Sequence, residues 1–230
     1  MKYSEKLGPP PELLDWLEVP EGSEWRPNYG IFRGQPKEKT HERLLEEQGY
    51  VCCYCGRGLN FNRTDSHIDH FWPQEHFSQE SPPDRTLDYE NFFASCGPPG
   101  LPFEKRKHPG TCGDAKKSSF DLDLYLIPSD PECEMRFSYA PNGIVSVGPD
   151  DAAASRMINV LDLNHQALQY EREVIVTALE AHILGGELLP EDFGREIGFW
   201  RTRDDEGRLR SFGHVAARYL EDEATQIIGD

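Results

Sequence analysis

Four cysteines constrain this chain more than any other feature. Cys52 and Cys55 form a C-x-x-C pair, and Cys96 and Cys112 follow on either side of a loop rich in proline and glycine. Zinc favours four sulfur or nitrogen ligands in a tetrahedron, and a tight knuckle often supplies two of them. The spacing therefore predicts one structural zinc. The alternatives are reduced buried thiols and a redox C-x-x-C pair, although the latter lacks the flanking βαβ pattern.

The other two cysteines are expected outside the zinc site, and the N-terminal sequence indicates the cellular compartment. Cys53 lies between two predicted ligands and is expected to point away from the metal, and Cys133 is expected in the core. No apolar stretch follows Lys2, so no signal peptide is expected. No apolar run reaches the roughly 18–20 residues that span a bilayer. These features predict a cytoplasmic protein with no membrane partner, in which cysteines bind metal more often than they form disulfides.

Charge is unevenly distributed along the chain. The 230 residues include 41 acidic and 24 basic residues, which gives a formal net charge of −17. Most of the excess lies in residues 121–230, which hold 22 acidic and 9 basic residues. This balance excludes a protein that binds nucleic acid through its overall charge alone. An acidic C-terminal half instead favours a basic protein partner.

The sequence pattern divides the chain into three segments. Residues 1–36 are rich in proline and glycine and predict an extended arm, available for a partner, with a short helix near Pro11–Leu17. Residues 37–125 begin with a predicted helix and contain the cysteine frame. Residues 126–230 predict a β-hairpin around Asn142-Gly143 and then a helical region. Its helices are predicted over 152–161, 165–184, 190–201 and 212–228.

A histidine and an aspartate lie in a predicted strand after the first cysteine pair. Alternation over residues 67–71 places Asp69 on one face and His70 on the other. Carboxylate oxygens suit a hard divalent cation, and a neutral imidazole accepts a proton near neutral pH. The later Lys116 and Lys117 suit phosphate oxygens. Together these residues favour metal-dependent phosphodiester hydrolysis.

The combined pattern resembles the HNH, or ββα-metal, endonuclease superfamily with a zinc-bound treble-clef support. The motifs that carry the resemblance are Cys52-x-x-Cys55, Asp69-His70-x-x-Pro73, Asn91-Phe92-x-x-x-Cys96 and Cys112-x-Asp114-x-Lys116. Softer motifs are similar to the PtuB-like HNH subunits of Septu-type and retron-associated anti-phage systems. These are Leu45–Cys55 and Val160–Asn164, followed by Leu168 and Arg172. The resemblance covers residues 36–176.

The resemblance implies a role for each site residue. His70 would be the general base, Asp69 would bind a catalytic Mg²⁺ or Mn²⁺, and Asn91 would brace the loop that aims the histidine. Asp114 takes the place where many members have His or Asn as the last metal ligand, and would hold the same ion. Lys116 and Lys117 would contact phosphate. Two roles are open for His67: it orients the strand or it contacts phosphate.

The resemblance also implies a fold and partners. The fold would be α+β, with a zinc-supported ββα-metal core over 37–125, an N-terminal arm and a helical C-terminal region. The substrate would be DNA or RNA, and an ABC/SMC-like ATPase would carry or gate the nuclease. In retron systems a reverse transcriptase with its msDNA is a further partner. Two interpretations are open for the basic run 105–108: it is a solvated loop or it contacts nucleic acid.

Two other functions compete with the nuclease. The first is a zinc-stabilised module that binds nucleic acid or protein and has an inactive nuclease centre; the intact Asp69-His70, Asn91 and Lys116 argue against it. The second is a zinc hydrolase of small substrates, which would need an open coordination position. Four cysteines would close the zinc site, so this second alternative is disfavoured.

Overall fold

The computed structural model describes residues 1–61, 65–77, 84–97, 110–119, 121 and 123–229. Within these ranges the strands are β1 (Ser66–His70), β2 (Phe92–Cys96), β3 (Phe137–Tyr139) and β4 (Val145–Val147). The α-helices there are α1 (Pro11–Leu17), α2 (Gln35–Glu47), α3 (Gln74–Phe77), α4 (Gly113–Lys116), α5 (Ala152–Val160), α6 (Gln166–Leu184), α7 (Phe193–Arg201) and α8 (Gly213–Gly229). The α+β class predicted from the sequence is confirmed. None of these helices has the length and apolar character that a membrane crossing requires.

The first sheet contains the predicted catalytic strand. β1 and β2 pair antiparallel, with Ser66 opposite Cys96 at one end and His70 opposite Phe92 at the other. Burial alternates along β1, as a strand of period two requires, whereas every residue of β2 is buried. Five paired residues separate the two ends by about 13 Å. The sheet therefore fixes the histidine at a set distance from the cysteine-bearing end.

A single hydrophobic core joins all three segments of the chain. Its members include Leu13 and Phe32 from the N-terminal residues, Phe93 from β2 and Leu220 from α8. The predicted helix over Pro11–Leu17 is confirmed, but residues 1–36 pack on the rest of the protein through Met1, Leu13 and Phe32, which are buried. The arm is thus part of the fold that surrounds the sheet.

The 51–120 segment has more apolar packing than its sequence suggests. Tyr54, Leu59, Phe71 and Phe92 are all at most 1% exposed. Each fully buried side chain of this size contributes about 1.5–3 kcal/mol to folding. Metal binding at the cysteines would therefore add to an existing core.

The C-terminal half has the predicted hairpin and helices. The hairpin turns at Gly143, whose φ of +73° suits glycine, and a Cβ there would lie 2.0 Å from the Gln169 carbonyl oxygen. The buried Arg172 of α6 donates to the Gly143 carbonyl at 2.7 Å and so ties the hairpin to the helix. Residues 190–201 differ from the prediction in one respect: a 3₁₀ turn over Pro190–Asp192 precedes α7.

Candidate active site and metal centre

Four cysteines meet in one cluster. The Sγ atoms of Cys52, Cys55, Cys96 and Cys112 all lie within 4.8 Å of one another, and the four side chains are buried. The knuckle supplies two of them, the last residue of β2 the third and the residue before α4 the fourth. The Cys55 and Cys96 sulfurs are 3.8 Å apart, which is the edge of a tetrahedron with Zn–S bonds of about 2.3 Å. The group can hold a metal ion such as zinc.

The chemistry of this cluster also fits a dication. Burial raises the pKa of the Cys112 thiol, whereas at Cys52 hydrogen bonds from the neighbouring thiols outweigh burial and lower the pKa. A dication replaces the thiol protons, because its charge offsets the cost of buried thiolates. The other two cysteines lie outside the group, as predicted. Cys133 donates to the Pro128 carbonyl at 3.6 Å, and burial raises its pKa to about 12.

Short elements connect the cluster to β1, the predicted catalytic strand. Ser95 lies between them: its hydroxyl is 3.9 Å from the Cys52 sulfur and accepts a hydrogen bond from the Gly113 amide at 3.1 Å. β2 then runs to the histidine end of the sheet, and α4 begins directly after Cys112. A metal at the cysteines would thus fix the start of α4 against β1.

His70 is held in a defined orientation. Its Nε2 lies 3.0 Å from the Thr86 carbonyl oxygen, which can only accept, so Nε2 carries the proton. Nδ1 is then the basic nitrogen, and the Gln74 amide donates to it at 3.2 Å. The rings of Tyr29 and Phe92 pack against the imidazole edge to face, with centroids 4.4 and 4.9 Å away. Burial lowers the pKa of His70, so the ring is neutral at pH 7 and can accept a proton.

Asp69 lies beside this histidine with one oxygen engaged. Its Oδ2 accepts from the Tyr54 hydroxyl at 2.5 Å and lies 3.4 Å from the Lys116 ammonium. The hydrogen bonds that described residues make to this carboxylate fall on Oδ2, and the side chain is 11% exposed. Oδ1 lies against Gly113, where an added Cβ would be 2.8 Å from the Asp69 Cγ. Glycine at 113 therefore allows α4 to approach the carboxylate.

His67 lies on the same face as Asp69, as the strand period predicts. A Cβ at Gly113 would lie 3.1 Å from its Nε2. Burial lowers the pKa of His67, while the charges of Asp69 and Asp114 oppose this shift. Among the described residues no partner reaches its buried Nδ1. Sequence alone left this residue undecided, and its proximity to Asp69 becomes visible only when α4 is in place.

Asp114, the expected partner of Asp69 at the catalytic ion, follows Gly113 in α4. In the described part of the chain, the four cysteines are the one group of three or more ligands at mutual metal-binding distance. Asp69 lines the main cleft, and Gly113 rather than Asp114 is the α4 residue that lines it there. Asp114 lies in the first turn of α4. Its role as a metal ligand stays a prediction.

Asn91 has the bracing geometry that the family resemblance implies. It is 2% exposed. Its Oδ1 accepts from the Trp72 amide at 2.7 Å, and its Nδ2 donates to the carbonyls of Trp72 and Arg85 at 3.0 and 2.7 Å. Arg85 precedes Thr86, whose carbonyl orients the His70 ring. Asn91 is therefore a positioning residue that ties together the two segments beside the histidine.

The two lysines have different environments. Lys116 was expected to contact phosphate, but it is 1% exposed and its ammonium donates to the His70 and Phe71 carbonyls at 2.7 and 3.3 Å. This corrects the expectation, because a buried ammonium with three protein partners has no free donor for a phosphate. Lys117 is exposed and lines the cleft. The basic run 105–108 lies outside the described residues.

A cleft of about 950 Å³ opens over Asp69 and His70. Residues from β1, α3 and the start of α4 line it, together with Lys117 and Ser118 just after α4. The N-terminal segment contributes too, through Arg33, Lys37 and the start of α2. These N-terminal residues form one wall of the cleft. Their position was not predicted, because no local sequence pattern indicates which surface an N-terminal segment will pack against. We refer to this space as the cleft.

Comparison with known proteins gave no assignment. No protein-family model matches the chain, and no curated protein matches it. The geometry of the cleft and the sequence motifs are therefore the basis on which a function can be assigned.

Proposed function

We propose that this protein is a metal-dependent endonuclease that hydrolyses phosphodiester bonds in nucleic acid. The observation that carries the proposal is His70: the Thr86 carbonyl fixes its proton on Nε2, which leaves Nδ1 as the basic nitrogen, and the residue lines the same cleft as Asp69. An oriented neutral imidazole beside a carboxylate is the arrangement that a general base and a metal ligand require. The HNH resemblance of the sequence supports the same assignment.

The residues suit Mg²⁺ or Mn²⁺ at Asp69. Such ions are held by one or two carboxylates together with water and substrate phosphate. One protein carboxylate in an open cleft can therefore bind the ion when water and the substrate complete its coordination. When bound, the ion would polarise the phosphate and stabilise charge on the leaving 3′ oxygen. Tyr54 and Lys116 hold Oδ2 and leave Oδ1 on the side of Gly113.

His70 supplies the proton transfer. Nδ1 accepts a proton from the attacking water, and the place now taken by the Gln74 amide marks the direction of approach. The Thr86 carbonyl stabilises the resulting imidazolium through Nε2. The P–O3′ bond breaks, so the products carry 5′-phosphate and 3′-hydroxyl ends. Asn91 keeps both flanking segments in position during this transfer.

The cellular role proposed here follows the family resemblance. The protein acts as the effector nuclease of an anti-phage complex with an ABC/SMC-like ATPase, and in retron systems with a reverse transcriptase and its msDNA. The strongly acidic residues 121–230 would face a basic partner surface, since opposite charge steers association. Co-purification of the native complex, followed by salt titration, tests this assignment of partners.

A second candidate is a zinc-stabilised binding module with an inactive centre. Two observations favour it: the Lys116 ammonium lies 3.4 Å from Asp69, and the Gln74 amide covers the basic nitrogen of His70. Either contact would have to adjust for catalysis. Cleavage assays separate the two functions, because an inactive module binds nucleic acid but leaves it intact in the presence of Mn²⁺.

The experiment uses His70→Ala with a matched control. His182 is an exposed histidine paired with Glu187, far from the cleft residues in sequence and absent from the cleft lining. We expect His70→Ala to cleave about 10²–10⁴-fold more slowly, the usual cost of losing a general base, and His182→Ala to cleave like the parent. Zinc content and circular dichroism of both variants check that the fold is retained.

A further inference from the structure

The N-terminal wall of the cleft has chemistry that the hydrolysis step does not use. Lys37 and His41 are four residues apart in α2 and share one face of that helix, and Arg33 lies two residues before α2 begins. All three line the cleft, and so does Phe61. None of them belongs to the motif residues that bind metal or transfer a proton. This face therefore needs a separate explanation.

The cleft is less negative than the rest of the protein. Three cations line it, and three carboxylates line it as well; they are Arg33, Lys37, Lys117, Glu38, Asp69 and Glu75. Asp69 is further offset by the buried Lys116. On a chain of net charge −17, this balanced surface is where a polyanion meets the least repulsion.

Lys37 is coupled to the catalytic histidine through one aromatic ring. Its ammonium lies 4.7 Å from the Tyr29 ring centroid, and that ring packs on His70 at 4.4 Å. Arg33 is exposed and forms no ion pair with the described residues. One cation is thus fixed next to the reacting centre, and a second lies at the entrance.

An exposed aromatic ring completes this wall. Phe61 is 45% exposed, and its ring centroid lies 5.3 Å from that of His41. The His41 ring is itself held by the Ser66 hydroxyl at 3.0 Å. Sites for single-stranded nucleic acid combine cations along the backbone with aromatic rings on which unpaired bases stack. A duplex keeps its bases stacked inside and would leave such a ring unused.

We propose that Arg33, Lys37 and Phe61 bind a single strand of nucleic acid next to the scissile phosphate. Arg33 and Lys37 contact successive phosphates, and Phe61 stacks on an unpaired base. The proposal rests on the proposed nuclease function, for which it names the substrate as a single strand or an unpaired segment.

The test measures binding without a catalytic metal. Fluorescence anisotropy of a labelled single-stranded oligonucleotide, as DNA and as RNA, is recorded at several low salt concentrations with Mg²⁺ and Mn²⁺ omitted. The variants are Arg33→Gln/Lys37→Gln and Phe61→Ala. The matched control is Lys39→Gln, which removes an exposed cation of α2 that pairs with Glu42 and does not line the cleft.

Each variant has a distinct expected signature. The double variant should bind at least tenfold more weakly, and the slope of log affinity against log salt should fall by about 1.4, or 0.7 for each lost phosphate contact. Phe61→Ala should lose roughly 5- to 100-fold in affinity with an unchanged salt slope, because stacking is uncharged. Lys39→Gln should bind within about twofold of the parent protein, since exposed cations away from the contact contribute little.

Two results would overturn the proposal. One is parental affinity in both the double variant and Phe61→Ala. The other is tighter binding of a duplex, with no effect of Phe61→Ala. The nuclease assignment can fail separately. If the protein binds a single strand with these signatures but shows no Mn²⁺-dependent cleavage, the binding site is supported and the nuclease function is rejected. If Arg33→Gln/Lys37→Gln and Phe61→Ala cleave at the parental rate at low substrate concentration, the binding site is rejected and the nuclease function is supported.

Discussion

Replacing Lys116 with methionine should destabilise the protein strongly. The buried ammonium pairs with Asp69 at 3.4 Å and donates to two carbonyls at the end of β1. Methionine keeps the apolar stem but removes every one of these contacts and leaves the Asp69 charge uncompensated. Breaking a buried ion pair by removing one partner costs about 3–5 kcal/mol. That is a large share of a typical unfolding free energy of about 5–15 kcal/mol.

Thermal unfolding measures the effect. For a chain of this length, 1 kcal/mol changes the melting temperature by about 2–4 °C, so Lys116→Met should melt roughly 6–20 °C lower. The neighbouring Lys117 is exposed and provides the control: Lys117→Met should change stability by no more than about 0.5 kcal/mol. Adding Asp69→Asn to Lys116→Met should recover at least about 1 kcal/mol, because the unpaired charge is removed. A melting temperature of Lys116→Met within about 2 °C of the parent would refute this reasoning and restore Lys116 as a surface phosphate ligand.

Two further perturbations test the metal cluster and the pH response. Cys52→Ser or Cys112→Ser should lose bound zinc and lower the melting temperature, whereas Cys133→Ser should keep the full zinc content; metal analysis of the purified variants decides, and unchanged zinc in the first two would remove those cysteines from the site. Burial lowers the pKa of His214 well below its usual 6.5, so below that pH the unfolded state binds a proton that the folded state does not. Stability should therefore fall as pH drops from 7 to 5, by up to about 1.4 kcal/mol per pH unit from this group. Denaturant unfolding at pH 7, 6 and 5 should show a smaller slope for His214→Gln, and equal slopes would contradict the assignment.

Local patterns were enough to predict the parts of the fold that depend on spacing. The alternation of polar and apolar residues predicts β1, and Asn142-Gly143 predicts the hairpin, because each is a property of a few adjacent residues. The four cysteines could be grouped from their chemistry alone, since soft ligands at such spacings share one ion. The structure then confirms that they lie together.

The direction of side chains between distant elements could not be predicted in this way. Lys116 and Lys117 are adjacent and chemically identical, yet only the packing of α4 decides that the first is buried and the second exposed. The need for glycine at position 113 is visible only in the folded protein, where Asp69, 44 positions earlier in the sequence, approaches it. The contribution of Arg33 and Lys37 to the cleft likewise depends on where the N-terminal segment docks. These features need long-range contacts, which no local motif contains.

Cleavage of a labelled oligonucleotide tests the central claim most directly. The zinc-containing protein, at micromolar concentration and low salt, is incubated with a single strand, with and without Mn²⁺, beside His70→Ala and His182→Ala. The account predicts Mn²⁺-dependent cleavage that leaves 5′-phosphate ends, about 10²–10⁴-fold slower in His70→Ala and unchanged in His182→Ala. An uncut strand with the parent protein, or equal rates for the parent and His70→Ala, would contradict the claim that this cleft is a nuclease active site.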